Sequence, residues 1–458
     1  MQVINNLFSH ISFVDVFNFC VFVAFTVCYA YQLFFVLVGL VKKVKIPKTQ
    51  NNHKFAAIIC ARNESTVIAD LINSIQKQDY PSELIDIFVV ADNCTDNTAE
   101  IATNNGAFVI KRNNKDLIGK GYALNYGLNI IYRKCLGIDL GESICKQAKN
   151  GTIIPPKDRF VNKESGYEAF FVFDADNVLD KNYFKEMNKV YDQGYTVGTS
   201  YRNTKNFDSN WISSGYATWF LREARFLSQP RFKLNTSCAV SGTGFYVDIN
   251  IIKKYAGWNW FLLTEDIEFA TTNIINANRI GYAPDAVLYD EQPVNFSDSW
   301  NQRFRWTRGF YQVFVHYGWK LFTHIFTNPK GHRFACYDIL MTIAPGLLIT
   351  IITLLFNLVI VILGICGVLT AGMAISASLS SIIFCMVNYI LFMFVLGVIT
   401  LFIEWDKVKA KTSSKIKAMF TFPLFMLTYL PIAIVAAFKK VGWKPIKHTI
   451  AVNPDDFS

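Results

Sequence analysis

The sequence predicts an α/β domain with a mainly parallel sheet, joined to an α-helical transmembrane region. Two observations lead to this prediction. Between residues 54 and 247, short apolar runs alternate with helix-like segments, and strands that alternate with helices indicate a parallel sheet. Long uncharged runs flank that stretch on both sides, and each is about as long as a membrane-spanning helix or longer.

Composition agrees with a membrane protein. Of the 458 residues, 52% are apolar and 15% aromatic, while charged residues fall to 17%, which is unusual for a soluble domain. The net charge of +10 comes largely from lysines beside the apolar runs, where anionic lipid attracts them. We therefore expect the lipid bilayer as a partner and no nucleic acid. The ten cysteines include no Cys-x-x-Cys pair, so neither a zinc site nor a disulfide framework is indicated.

Three uncharged runs are candidates for the membrane region. Val16–Val41 is long enough for one span, and Ile339–Ile403 for two that join near Gly364–Gly372. A cleaved signal peptide is the alternative for the first run, but the run is too long and no basic segment precedes it. The third run, Ala418–Phe438, has basic residues at both ends and contains two prolines. A single crossing cannot leave both ends on one side, so we favour a re-entrant or interfacial segment there over a full span.

Lysines fix the expected orientation. Lys42, Lys43, Lys45 and Lys48 follow the first run directly, and basic loops stay in the cytoplasm. We therefore predict a multi-pass protein of the plasma membrane with a cytoplasmic catalytic domain. The expected segments are 1–45 as a transmembrane helix, 46–310 as the cytoplasmic domain, 311–335 as interfacial helices, 336–441 as a transmembrane or re-entrant region, and 442–458 as a cytoplasmic tail.

Polar residues follow several predicted strands at the point where each ends. The strands are expected at Lys54–Cys60, Ile85–Ala91, Ala107–Lys111 and Phe170–Phe173. Glu64, Asp92 and Asp174 lie at or just beyond three of these ends. Because ligands bind at the carboxyl ends of parallel strands, these side chains are expected to face one crevice. The polar segment Cys135–Ser165 is predicted to be a surface insertion.

Asp174-Ala175-Asp176 places two carboxylates at a strand end. Both can reach a hard divalent cation and a nucleotide, although the same pattern is common in turns. A departing diphosphate carries negative charge that a cation stabilises.

Thr264-Glu265-Asp266 follows an aromatic run. One interpretation is a helix N-terminus with Thr264 as its cap and two acids in the first turn. The other is a carboxylate that acts as general base toward an acceptor hydroxyl. Both can hold, because a helix start would fix the carboxylate in place.

Gln302-Arg303-Phe304-Arg305-Trp306 is the most specific cluster. On a helix, Gln302, Arg305 and Trp306 share one face. Arg can bind diphosphate oxygens bidentately, and Trp can stack on a sugar ring. The alternative is an amphipathic helix at the membrane surface with Arg and Trp at the interface.

Two glycine-containing turns complete the candidate site. Lys120-Gly121 resembles a turn that opens a helix, but it is not a phosphate-binding P-loop. Ser241-Gly242-Thr243-Gly244 can let the backbone approach a ligand closely, and an ordinary turn before a strand is equally compatible.

Together, these clusters resemble the processive members of family-2 glycosyltransferases, the group of cellulose, mixed-linkage glucan, chitin, hyaluronan and poly-N-acetylglucosamine synthases. The resemblance covers roughly Phe55 to Phe310. It implies a GT-A (Rossmann-like) glycosyltransferase fold, a nucleotide-sugar donor, a divalent cation, inversion at the anomeric carbon, and a polymer threaded through the membrane.

The resemblance also implies a role for each residue. Catalytic roles fall to Asp266 as base, Glu265 and Arg305. The donor is expected to contact Arg62, Glu64, Asp92, Lys120, Asp174, Gln302 and Arg305. The acceptor is expected at Trp306, Gly242 and Thr243, and Mg²⁺ or Mn²⁺ at Asp176. Trp443–Lys447 is similar to a Trp-plus-basic segment that some members return to the site.

We therefore expect a processive inverting β-glycosyltransferase that polymerises glucose from UDP-glucose into a β-1,4 or mixed β-1,3/1,4-glucan and moves the growing polysaccharide across the membrane. A synthase that uses UDP-N-acetylglucosamine is the first alternative, and a non-processive enzyme that glycosylates a lipid carrier is the second. A transporter with an inactive scaffold fits less well, because the uncharged spans lack the ionisable residues of ion-coupled carriers.

Overall fold

An eight-stranded sheet forms the centre of the protein, in the order β3-β2-β1-β4-β7-β6-β8-β5. The computed structural model describes residues 13–41, 44–140, 151–157, 159–160, 166–343, 345–366, 372–439, 448 and 450. The strands are β1 (Phe55–Ala61), β2 (Ile85–Asp92), β3 (Phe108–Arg112), β4 (Ala169–Asp174), β5 (Val178–Leu179), β6 (Val197–Thr204), β7 (Phe245–Asp248) and β8 (Ile280–Asp290).

The sheet is mixed. β1 pairs in parallel with β2 and β4, β2 with β3, and β6 with β8. β7 runs antiparallel to both β4 and β6, and β5 antiparallel to β8. The expectation of a mainly parallel sheet is therefore met in the β3-β2-β1-β4 half, where buried apolar runs mark strands covered on both faces. The other half departs from it because β7 enters between β4 and β6 in the opposite direction.

The helices of the sheet-containing part are α2 (Ile68–Gln76), α3 (Thr98–Asn104), α4 (Lys120–Cys135), α5 (Tyr183–Asp192), α6 (Trp211–Glu223), α7 (Gln229–Lys233), α8 (Ile249–Lys254), α9 (Glu265–Ile275), α10 (Phe296–Thr327) and α11 (Arg333–Ile343). A π-helical segment, Ala224–Ser228, joins α6 to α7. The apolar core lies on both faces of the sheet. Alternate residues of β1 enter opposite layers, with Ala56 and Ile58 on one side and Phe55 and Ile59 on the other, as the two-residue period of a strand requires.

The remaining helices are long and apolar. They are α1 (Phe13–Leu40), α12 (Pro345–Ile365), α13 (Gly372–Ile403), α14 (Thr412–Leu427) and α15 (Tyr429–Phe438). Within the described residues, four stretches are long and apolar enough to cross a membrane: Phe13–Leu40, Leu348–Ile365, Ile375–Ile403 and Thr412–Phe438. These helices suggest membrane association.

The last of these stretches is interrupted. Thr428 separates α14 from α15, and Pro423 lies inside α14. By length and composition the stretch can cross a membrane, so the re-entrant segment remains a prediction. The expected break near Gly364–Gly372 falls between α12 and α13. Trp443–Lys447 lies outside the described residues.

Buried polar contacts join the apolar helices to the sheet-containing part. Glu404 follows α13 directly and is 2% exposed. It accepts a hydrogen bond from Tyr201 Oη on β6 (2.8 Å) and lies 3.5 Å from Arg225 of the π-helical segment. Tyr31 of α1 donates a hydrogen bond to Asp338 Oδ1 of α11 at 2.9 Å. Because a buried charge is tolerated only when it is paired, these contacts fix how the apolar helices sit against the sheet-containing part.

Candidate active site

The carboxyl ends of the parallel strands carry the predicted acids. Asp92 is the last residue of β2 and Asp174 the last residue of β4, while Glu64 follows β1 by three positions. β1 lies between β2 and β4, so the three acids lie along one edge of the sheet, where ligands bind in open α/β folds.

Asp92 is anchored by the neighbouring strand. Arg112, the last residue of β3 and 1% exposed, forms an ion pair with the Asp92 carboxylate, and Asn93 Nδ2 donates to it at 3.0 Å. Burial raises the pKa of Asp92, while Arg112 and Arg62 oppose that rise. The arrangement leaves a carboxylate held rigidly at the end of β2.

Lys120 connects the β4 end to the glycine turn. Its Nζ donates to Asp174 Oδ1 at 2.5 Å and to the Gly242 carbonyl at 2.8 Å. Burial lowers the pKa of Lys120, but Asp174 and Glu265 outweigh it and the net shift is upward. The ammonium therefore stays charged beside Asp174, at the first residue of α4.

The turn Ser241–Gly244 packs against the β4 exit. Thr243 Oγ1 accepts a hydrogen bond from the Asp174 backbone N–H at 2.9 Å, and Gly244 N–H donates to the Val172 carbonyl at 2.9 Å. Gly244 has φ +66°, and a Cβ there would lie 1.8 Å from a side-chain carbon of Leu288. Only glycine fits that conformation and space. The turn thus brings backbone next to Asp174 and directly precedes β7, so a close approach to a ligand stays a prediction.

Asp176 is buried and lies two residues after Asp174, the last residue of β4. Its Oδ2 accepts a hydrogen bond from the Glu291 backbone N–H at 2.9 Å. Burial raises the pKa of Asp176, but His448, Lys205 and the other donors outweigh it and lower it. Among the described residues no group of three acids, histidines or cysteines is arranged to hold a metal. Mg²⁺ usually takes one or two carboxylates and completes its shell with substrate phosphates and water, so an ionised Asp176 suits that role.

Glu265 and Asp266 begin α9. Thr264 precedes the helix but makes no side-chain capping hydrogen bond. Glu268 Oε2 instead accepts from the backbone N–H groups of Phe261 and Leu262, both at 2.9 Å. The helix-start interpretation therefore holds with Thr264 at the N-cap position, although its hydroxyl does not form the capping hydrogen bond that was expected. The two carboxylates sit at the positive end of the helix dipole.

The pKa values of this acid pair are raised. Burial and the adjacent Asp266 raise the pKa of Glu265 to about 7. Burial also raises the pKa of Asp266, and hydrogen bonds with the Ile267 and Gly242 backbone oppose the rise. A carboxyl group that titrates near neutral pH is suited to accept and release a proton.

The Gln-x-x-Arg-Trp cluster lies in α10 and contacts the start of α9. Arg305 Nη1 donates to the Leu263 carbonyl at 3.1 Å, and its charge lowers the pKa of both Glu265 and Asp266. Gln302 Oε1 is buried without a hydrogen-bond partner among the described residues. Trp306 sits edge-on to Tyr216, with ring centroids 5.8 Å apart. The face predicted from the helix period therefore points toward the acid pair and α6.

Two further charged residues reach the site from elements that the sequence did not single out. Arg202 of β6 forms an ion pair with Asp290, donates to the Ser241 carbonyl at 3.2 Å and lies over the Phe220 ring at 3.9 Å. His448 Nδ1 lies 3.0 Å from Glu64. Burial lowers the pKa of His448, but Asp176 and Glu64 outweigh it and raise it to about 10. The only sequence signal near His448 was the Trp-plus-basic segment just before it.

The family follows from comparison with known proteins. The profile described as "Glycosyltransferase like family 2" matches residues 53–309, which is more than half of the chain and includes every site residue just described except His448. The chain belongs to this glycosyltransferase family.

Three curated relatives are similar at low identity. A probable glycosyltransferase, YdaM, of Bacillus subtilis is 25% identical over 58% of this chain and 58% of its own length. The β-monoglucosyldiacylglycerol synthase of a Synechocystis species is 23% identical over 60% of this chain and 51% of its length. The poly-β-1,6-N-acetyl-D-glucosamine synthase of Staphylococcus aureus is 22% identical over 65% of this chain and 63% of its length. The chain thus spans about half to two thirds of the relatives it matches.

A solved structure confirms the fold class. The mannosyltransferase PcManGT of Pyrobaculum calidifontis, determined with GDP-mannose and Mn²⁺, superposes with a TM-score of 0.52 over 93% of this chain and 99% of its own, at 13% identity. The described part is a GT-A, Rossmann-like mixed-sheet domain with several long apolar helices, as the sequence predicted.

Proposed function

We propose that this protein is a membrane-embedded, inverting β-glycosyltransferase that extends a polysaccharide from a UDP-sugar. The observation that carries the proposal is one connected network. Lys120 donates hydrogen bonds to Asp174 and to the Gly242 carbonyl, and the Gly242 backbone is hydrogen-bonded to Asp266. Arg305 donates to the carbonyl of Leu263, just before the helix that carries Asp266. The residues proposed for the donor side, the base and the diphosphate side therefore lie together beside the apolar helices, which supports the proposal.

The proposed reaction is a single displacement. Asp266 takes the proton from the acceptor hydroxyl, whose oxygen attacks the anomeric carbon while the bond from that carbon to the diphosphate oxygen breaks. Arg305 and Lys120 stabilise the negative charge that develops on the departing UDP. Attack opposite the leaving group inverts the anomeric configuration. Glu265 keeps a second, exchangeable proton next to Asp266.

Asp92 and Asp176 have separate roles in donor binding. Asp92, held by Arg112, is proposed to contact the uridine, with Arg62 and Glu64 beside it. Asp176 would hold Mg²⁺ or Mn²⁺, which neutralises diphosphate charge when bound. The Mn²⁺ and GDP-mannose of PcManGT support a cation and a nucleotide sugar for this fold.

The donor sugar has two candidates. UDP-glucose is proposed first, on the resemblance of Thr264-Glu265-Asp266 to glucan synthases. UDP-N-acetylglucosamine is the second, because one relative is a poly-N-acetylglucosamine synthase. The diacylglycerol-linked product named for another relative makes a lipid acceptor the alternative to polymerisation.

The membrane placement is also a proposal. On α10, Val315, Trp319, Phe322 and Phe326 are 78%, 75%, 45% and 62% exposed, and their spacing of four, three and four residues puts them on one helix face. Large exposed apolar stripes indicate membrane contact. We propose that this face lies in the cytoplasmic interface of the plasma membrane, so that product leaves between the apolar helices.

The test is turnover of labelled UDP-sugars by the purified full chain in lipid nanodiscs. UDP release from UDP-glucose or UDP-N-acetylglucosamine with Mg²⁺ or Mn²⁺, and a product that linkage-specific hydrolases digest, would support the proposal. Asp266→Asn should abolish transfer while donor binding persists, whereas Asp298→Asn, at an exposed position of α10, should leave it unchanged. If neither sugar is turned over, or if Asp266→Asn retains full activity, the proposed function is wrong.

A further inference from the structure

Two charged residues at the end of α6 lack polar partners. Within the described part of the chain, neither Arg222 nor Glu223 forms a hydrogen bond or an ion pair, and Arg222 Nε is buried without any acceptor. Glu223 is only partly exposed. Leaving ionisable groups poorly solvated and unpaired costs free energy, so a ligand with complementary polar groups is expected at this position.

Glu223 lies on the helix face that touches the catalytic cluster. Tyr216, Phe220 and Glu223 are spaced by four and three residues and therefore share one face of α6. The Trp306 ring is edge-on to both aromatic residues, with centroids 5.8 and 6.2 Å away. Glu223 thus sits about one helical turn beyond the contact with Trp306.

Electrostatics place the same residue near the reaction site. Burial raises the pKa of Glu223, the charges of Arg231, Arg222 and Arg202 oppose the rise, and Asp266 adds to it. Glu223 therefore lies within electrostatic range of the proposed base and of three arginines.

Aromatic rings and membrane helices surround the pair. The Arg222 guanidinium lies over the Trp219 ring at 4.7 Å, and Trp219 lies 6.4 Å from Tyr429 of α15. Arg222 also interacts with Tyr389 of α13, and burial lowers its pKa to about 10, which leaves it cationic at neutral pH. Aromatic rings, one guanidinium and one carboxylate thus lie together beyond Trp306.

This chemistry suits a neutral, hydroxyl-rich ligand. Rings pack on the apolar faces of sugars, a carboxylate accepts hydrogen bonds from hydroxyl groups, and a guanidinium donates them. Arg222 and Glu223 carry opposite charges that offset each other, which favours a neutral ligand over a phosphorylated one. We propose that Arg222 and Glu223 form an acceptor subsite beyond Trp306, which binds the hydroxyl groups of a neutral carbohydrate chain. The proposal rests on the proposed transfer reaction at Asp266.

The experiment compares Glu223→Gln with wild type in full-length protein in nanodiscs. The acceptor probe is a short soluble β-linked oligosaccharide of the sugar that wild type transfers. Loss of one hydrogen bond to a charged group should raise the acceptor KM about tenfold or more and shorten the polymer. UDP release by donor hydrolysis without acceptor, and the donor KM, should stay within about twofold of wild type. Glu223→Asp should restore part of the acceptor affinity, and Glu100→Gln, at an exposed position on α3, should change nothing.

The outcomes separate the two proposals. If wild type turns over no UDP-sugar, the proposed function fails. If wild type is active and Glu223→Gln leaves acceptor KM and product length unchanged, the subsite is wrong. A variant that loses donor hydrolysis and acceptor use equally indicates a structural role and also overturns it. If Glu223→Gln does not fold, Arg222→Gln provides the same comparison. We then expect the acceptor KM to rise while the donor KM and donor hydrolysis stay unchanged.

Discussion

Gly309 is expected to control the position of the proposed base through close contact between two helices. An added Cβ at Gly309 would lie 2.5 Å from both Cγ2 and Oγ1 of Thr264 and 2.9 Å from its Cβ. Ordinary contacts between such atoms are about 3.5 to 4 Å. Rotation of the Thr264 side chain cannot remove the contact with its Cβ, so Gly309→Ala must separate α10 from the start of α9 by about 1 Å.

The two consequences of this displacement differ in size. Overpacking costs about 1 to 3 kcal/mol, but replacing glycine in a helix by alanine returns about 1 kcal/mol. The net loss of stability is therefore about 0 to 2 kcal/mol. A shift of about 1 Å in a reacting group can lower the rate about 100-fold. We expect Gly309→Ala to lose most of its kcat while its melting temperature falls only slightly.

The assay is steady-state UDP release together with thermal unfolding in nanodiscs. Gly318→Ala is the matched control, because it makes the same change in the same helix and the three atoms nearest to its added Cβ all belong to the Phe314 ring, the closest at 3.1 Å. Thr264→Ala removes the two closest atoms and should restore part of the kcat lost in Gly309→Ala. Wild-type kcat in Gly309→Ala, or an equal loss in Gly318→Ala, would refute the reasoning.

Three other predictions follow from buried charges. Lys120→Met removes the ammonium bound to Asp174 and should lower kcat/KM for the donor at least tenfold, since hydrogen bonds to charged groups contribute about 1.5 to 3 kcal/mol each. Unchanged donor kinetics would contradict a role of Lys120 in donor binding. The folded-state pKa of Glu265 is raised from 4.5 to about 7, so the folded protein binds more protons and stability should fall as pH rises through that range. The melting temperature of wild type should therefore drop more between about pH 4.5 and 7 than that of Glu265→Gln, and parallel curves would count against the shift. Arg303→Met removes the hydrogen bond from Arg303 Nη1 to Thr428 Oγ1 at 2.6 Å and should destabilise the protein by about 2 kcal/mol. Thermal unfolding would measure that loss, and steady-state kinetics should show an unchanged KM for the sugar donor.

The parts predicted well from sequence were set by local patterns. Apolar runs that end in acids indicated β1, β2 and β4 within one residue of their observed ends, because burial on both faces of a parallel sheet makes such runs nearly continuous. The helical period also placed Gln302, Arg305 and Trp306 on one face. The antiparallel entry of β7 was not predictable in this way, since the direction of pairing depends on where the chain returns to the sheet.

Partners that come from distant segments explain the remaining gaps. Arg112 can pair with Asp92 because the two residues lie opposite each other in the register of β2 and β3. Arg202 owes its place to the pairing of β6 with β8, which brings it to Asp290. His448 lies 384 residues from Glu64 in the chain, and no periodicity links the two. Local sequence can therefore suggest candidate site residues. The residues that pair with them depend on contacts formed only when the sheet and the apolar helices assemble. For this reason, substitutions of Arg202 should change UDP release through Asp290, and substitutions of His448 should change it through Glu64. In a Glu64→Gln background, the effect of a His448 substitution on UDP release should therefore be smaller.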